Sequence, residues 1–290
     1  MYKSNVTFLF IPVFVLTAFY CLIASGHAWT VYFLSYAFGG WVILMYLVAP
    51  IQIHQTQWSA LEPELTPLDP GGPGLAPEVA EYQANVLAEL SLLGFQVLRS
   101  YAVKNLNPNS SASSTLFWNG ATSEVAKILV VVATAGPVRT VTGLIAFSTE
   151  FADGTEVVTS NSPVISPFPS KRPPYHGFAF PDIRDARRLL EIHRALVRRF
   201  QAGRIRIDPV SADPDEYYRS RDFRLPMARH VDLGYYYRDE LAGVQRPTLK
   251  GAYLMSWRLL WPVKPIRAAL RRSKAQRLLR ELESESMGSV

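Results

Sequence analysis

The sequence predicts a membrane-anchored α+β protein: an N-terminal two-helix transmembrane hairpin, then a two-layer domain of a mostly antiparallel sheet with flanking helices. Three observations carry this. Between Met1 and Ala60 the only formal charge is Lys3, although the 290 residues contain 30 Lys and Arg and 24 Asp and Glu. After Gly94 the hydrophobic pattern changes from helical to strand-like, and at Asp182 it changes back. From Arg246 to Arg280 there are ten Lys or Arg and no acid. A single cysteine excludes a disulfide scaffold, and 49% hydrophobic residues exclude a disordered chain.

Val6 to Ala24 and Ala28 to Ala49 are uncharged runs of 19 and 22 residues, each near the roughly 20 residues that a helix needs to span the hydrocarbon core. Only Ser25, Gly26 and His27 lie between them, so the reading is an antiparallel hairpin over residues 1–58 with both termini on one side. The competing reading is a signal peptide, with Lys3 as its basic region and Gly26-His27-Ala28 as its cleavage site. Lys3 and the basic C-terminus place the bulk of the chain in the cytoplasm and the hairpin in an inner or plasma membrane. Cys21 fits a reducing compartment. Ser35 and Gly39 make a small-xxx-small pair suited to close helix approach.

Residues 59–77, with five prolines and three glycines, read as a linker. A cytoplasmic α+β domain is expected over residues 78–206. It opens with a helix from Glu78 to Leu93, where Val79, Tyr82, Val86, Leu90 and Leu93 recur at helical spacing and Gly94 is the stop. Strands follow at Phe95 to Val103, Leu116 to Trp118, Ala126 to Thr134, Val138 to Glu150 and Glu156 to Thr159. Asp153-Gly154 gives a hairpin turn, and Asn105 to Ser114 reads as a surface loop. Lys127 to Thr134 is apolar after its lysine and fits a central strand. A second helix is expected from Asp182, as N-cap, to Phe200.

Residues 207–290 form a basic segment that either lies at the membrane interface or packs on the domain. Ala252 to Trp261 is too short to span. Tyr253, Trp257 and Trp261 nevertheless suit headgroup depth, with Lys264, Arg267, Arg271 and Arg272 facing anionic lipid.

The five histidines show no metal-ligand spacing, and neither a G-x-S-x-G elbow nor a phosphate loop is present. The sequence therefore implies no cofactor and no metal, and it names no catalytic residue. His193 falls on the apolar face of its helix and reads as a core histidine. Asn161 to Pro181 holds six prolines with Lys171, Arg172, Tyr175 and His176, a stiff loop suited to docking a partner. These features favour a non-enzymatic, membrane-tethered binding or scaffolding module. Its expected partners are anionic lipid headgroups and a protein, with homo-oligomers allowed and nucleic acid not expected. The alternative is a membrane-bound enzyme acting on a lipid or envelope precursor, with His176 or His193 in a cleft.

Overall fold

A computed structural model gives the architecture and describes residues 28–69, 76–107, 110–135, 138–168, 175–208 and 213–288. The hairpin's first arm, Val6 to Ala24, and its turn, Ser25 to His27, lie outside the described residues, as do Lys171 and Arg172. One helix among the described residues is long and apolar enough to cross a membrane, Trp29–Thr56. This helix, α1, runs through Ala28–Ile43, a π-helical turn Leu44–Val48 and Ala49–Thr56, and so extends well past the expected end at Ala49. The π turn has a local cause. Pro50 has no N–H to return to Tyr46 and its ring crowds that carbonyl, so the preceding backbone widens and Ala49 donates to Leu44, five residues back.

The stretch expected to be linker contributes to two sheets. β1 (Ser59–Ala60) pairs with a later strand, and β2 (Glu64–Pro67) pairs antiparallel with β3, Glu64 opposite Lys104 and Pro67 opposite Tyr101. Proline density misled because β2 is a short edge strand, the one place in a sheet where flanking prolines cost no ladder bond. Gly71, Gly72 and Gly74 lie outside the described residues.

Helix α2 (Pro77–Leu92) comes close to its expected bounds, buries Val79, Val86 and Leu90, and is followed by Gly94 at φ +84°. The main sheet has seven strands in sequence order: β2, β3 (Gln96–Asn107), β4 (Ser110–Asn119), β5 (Glu124–Ala135), β6 (Val138–Glu150), β7 (Glu156–Ser160) and β8 (Tyr175–Ala179). All neighbours are antiparallel except β7 and β8. The expected Asn105–Ser114 loop is instead part of the β3–β4 hairpin, with Asn107 opposite Ser110. Two of its buried hydroxyl positions are paired, Ser100 Oγ donating to Thr115 and the Gln83 amide donating to Ser113. At Asp153-Gly154 the turn forms as read, with Gly154 at φ +80°, a conformation that costs glycine nothing.

Helix α3 (Ala186–Gln201) starts later than expected. Asp185 is the N-cap, accepting from the Arg188 N–H, and Asp182 is drawn away by Arg272 at 3.4 Å. Helix α4 runs through Pro214–Arg219, a second π turn Ser220–Arg224 and Leu225–Asp232, the π turn again ending two residues before a proline, Pro226. A small second sheet follows, order β1, β10 (Val244–Pro247), β9 (Tyr236–Asp239). Helices α5 (Leu249–Leu259) and α6 (Val263–Gly288) complete the chain, separated by Trp261-Pro262. Pro265 falls in the first turn of α6, where its missing N–H is no loss.

One face of the main sheet packs on α2, α3 and α6. Phe117, Ile128, Val130, Ile145 and Phe147 meet Leu90, Leu189, Leu196 and Val197, and Ala275 and Leu282 of α6 close the edge. The opposite face lies under α4 through Tyr101, Val103, Ala112 and Tyr218 and through ion pairs described below.

Candidate functional site

The residues with a legible role converge where α1 meets α5. Trp41 and Trp261 lie edge to face at 5.5 Å, and Tyr46 and Trp257 are 5.0 Å apart. The Tyr46 hydroxyl donates to the Trp261 carbonyl at 2.9 Å, and Nδ1 of His54 donates to the Pro247 carbonyl at 2.7 Å. Tyr253 stacks on Trp257 and both remain about half exposed. Such a collar combines apolar ring area with polar tips. It forms because Thr248 caps α5, accepting from Gly251 N–H while its own hydroxyl donates to Gly234 O. Gly251 leaves room for the turn beneath, since a Cβ there would stand 2.0 Å from the Tyr235 carbonyl oxygen.

Beside the collar, the proline-rich segment is pinned by two devices. Phe168 is buried between His230 at 4.7 Å and Tyr235 at 4.9 Å, with Tyr236 edge-on at 5.6 Å. Three arginines then serve its carbonyls: Arg258 to Pro167 at 3.3 Å, Arg267 to Ser166 at 3.1 Å and Arg271 to Val164 at 2.5 Å. Proline removes donors from an extended segment and leaves acceptors in excess, and the arginines supply what is missing. Burial and a neighbouring cation pull the Arg267 and Arg271 guanidinium pKa values below their usual range.

The expected site residues therefore separate into groups. Tyr253, Trp257 and Trp261 come together. Arg267 and Arg271 stand at the proline-rich segment, Arg272 pairs with Asp182, and Lys264 is exposed. Tyr175 opens β8 opposite Glu156, its phenol pushed up by burial and by the Glu156 and Asp222 carboxylates. His176, its neighbour, turns to the other face and packs on Phe200 at 4.2 Å.

His193 is wholly enclosed. Its two ring nitrogens are each 3.0 Å from a threonine hydroxyl, Thr149 and Thr159, and Phe147 stacks on the ring. Burial pulls its pKa down to about 4, so at neutral pH the ring is uncharged and satisfied within the core. Nearby, buried Glu124 is held bidentately by Arg194 at 2.8 to 3.2 Å.

Sequence reasoning missed the polar interface under α4. Lys127 pairs with Asp222, Arg221 with Glu150 and, at 3.4 Å, with Glu156, and the Tyr101 hydroxyl donates to Asp215 at 2.5 Å. The lysine within the largely apolar β5 is the signal in the sequence that points to it. Between α3 and α6 an open groove of about 460 Å³ is crossed by the Arg188–Glu283 and Arg199–Glu285 ion pairs. Among the described residues, no group of three or more His, Cys, Asp or Glu is placed to hold a metal ion. Comparison with known protein families, with curated proteins and with solved structures finds no match.

Proposed function

We propose that this protein is a membrane-tethered module of an inner or plasma membrane that docks a protein partner or scaffolds an assembly, with its folded domain in the cytoplasm. The observation that carries this reading is the contrast along α1. None of the most apolar 18-residue window of that helix is buried, whereas its C-terminal half is clasped by Trp257, Trp261 and Pro247. An all-round apolar helix in need of cover, rooted in a folded domain through an aromatic collar, suits a spanning anchor that holds the domain against the headgroups. The basic, acid-free Arg246–Arg280 stretch favours the cytoplasmic side and anionic lipid beside it.

The binding reading is supported over the enzymatic one by how the buried polar groups are used. His193, Glu124 and Glu150 spend their polar atoms on threonine or arginine partners within the fold. His176 packs on Phe200, the rings tilted by 30° at 4.2 Å.

In-cell crosslinking with mass spectrometry, on membranes washed at alkaline pH, tests the proposal. The expected result is a chain retained in the washed membrane with recurring crosslinks from domain lysines to one cytoplasmic or membrane protein. Release of the chain by the wash, or crosslinks to itself alone, would overturn it.

A further inference from the structure

Three arginines from two helices are gathered on one short segment. Arg258 comes from α5, while Arg267 and Arg271, one turn apart, come from α6. Each spends one Nη1 on a carbonyl of Val164, Ser166 or Pro167, and a guanidinium has five N–H donors. Among the described residues none of the three has a carboxylate partner, unlike Arg194, Arg221 and Arg224. The sequence explains why. No Asp or Glu occurs between Glu156 and Asp182, or between Glu240 and Glu281, so the proline-rich segment, α5 and the first four turns of α6 carry no acid beside the cluster. The cations also face one another: burial first, and then Arg258 beside Arg267 and Arg267 beside Arg271, hold these guanidinium pKa values below their usual range. Neutral carbonyls orient the guanidinium groups but bring no counter-charge.

We propose that Arg258, Arg267 and Arg271 form a binding site for a phosphoryl group. A tetrahedral, doubly or singly charged oxyanion accepts from several forks at once, which is the geometry in which arginine outperforms lysine. Arg258 is one residue from Trp257 of the collar and three from Trp261, which sets the site at the level where α1 leaves the domain. The same phosphoryl chemistry is offered by an anionic phospholipid headgroup and by a free phosphate ion. Only the lipid source rests on the membrane reading above.

The test uses the full chain purified in detergent. Native mass spectrometry compares retention of phosphatidylglycerol with that of phosphatidylcholine, and a parallel thermal scan uses inorganic phosphate. The expected result is phosphatidylglycerol held at least about fivefold more tightly, the preference disappearing in Arg258→Gln/Arg267→Gln/Arg271→Gln and surviving in Arg277→Gln/Arg280→Gln, which removes two cations farther along α6. Stabilisation by inorganic phosphate, present in the wild-type chain and absent in the triple variant, also supports the site and names the free ion as a sufficient ligand. Because this arm needs no bilayer, it stands or falls separately from membrane insertion. Equal retention of the two lipids by the wild-type chain, with no response to phosphate, would overturn the proposal without reliance on any variant. So would an equal loss in the Arg277/Arg280 control, which would reduce the effect to overall charge.

Discussion

Two apolar surfaces of this chain meet opposite fates. On the inner face of the seven-stranded sheet, Phe117, Ile128, Val130 and Phe147 are at most 1% exposed beneath α2 and α3. Along α1, Trp29 is 88% exposed, Phe33 71% and Tyr36 79%. The composition of the two surfaces is alike, and burying either stabilises by roughly 25 cal/mol per Å². The difference is that the sheet finds its cover in helices on both sides of it in the sequence, whereas among the described residues α1 finds cover only in its C-terminal half, where Trp41 and Tyr46 meet Trp257 and Trp261. A contiguous apolar surface of this length calls for cover, and the helix is long and apolar enough to cross a membrane.

The strongest way to break this comparison is to place the same charge on each surface. Val130→Asp puts an unpaired carboxylate in the core and is expected to cost about 4 kcal/mol or more, abolishing the cooperative thermal transition. Phe33→Asp should leave that transition where it is and instead weaken membrane insertion by about 3 kcal/mol, read as the fraction of chain retained in washed membranes.

A smaller effect tests the one ionisable group inside the covered surface. The folded pKa of His193, about 4, lies below its ordinary value of 6.5, so the unfolded chain takes up a proton first as pH falls. Its contribution to stability is therefore full above about pH 6.5, lost progressively toward pH 4 and constant below that. Denaturant unfolding of the wild-type chain should lose about 3 kcal/mol more between pH 7 and pH 4 than that of His193→Gln. Parallel pH profiles would remove His193 from the account.

At the junction of the two surfaces, Gly251→Ala drives a methyl group into the Tyr235 carbonyl and should cost about 2 kcal/mol. Proteolysis between α4 and α5 should accelerate, while hydrogen exchange in β4 and β5 stays protected. The smallest expected change sharpens the contrast with the sheet's second face. Asp222→Ala leaves Lys127 unpaired under α4 and should cost about 1 kcal/mol, whereas Lys127→Met/Asp222→Leu should recover most of it. A double variant no better than the single would show that α4 is held by charge and not by shape.

What was legible in the sequence follows from the same physics. Elements whose side chains have one simple task were visible: α2 by its Val79, Val86, Leu90 face, β6 from Val138 to Glu150, and the Asp153-Gly154 turn. Elements defined by distant partners were not. The edge strand β2 exists because β3 is beside it, and β8 because the chain returns parallel to β7. The helix α4 is anchored by Asp222 to Lys127 and by Arg221 to Glu150, pairs 95 and 71 residues apart, and no local period announces them. Of the site, the aromatic residues of the collar were read, but their contact with Trp41 and Tyr46 was not. Arg267 and Arg271 were read as lipid-facing, and their bonds to Ser166 and Val164 depend on a loop about 100 residues earlier.

The most direct measurement of the central claim is a spin-label scan from Trp29 to Thr56 in lipid vesicles, comparing collisions with oxygen and with a water-soluble nickel chelate. Oxygen-dominated access is expected at every position through Gly40, because that stretch is apolar on all sides and unburied among the described residues. From Tyr46 onward a period of 3.6 should emerge, as α5 covers one side. Nickel access along the whole helix, with no oxygen-dominated stretch between Trp29 and Gly40, would contradict a spanning anchor.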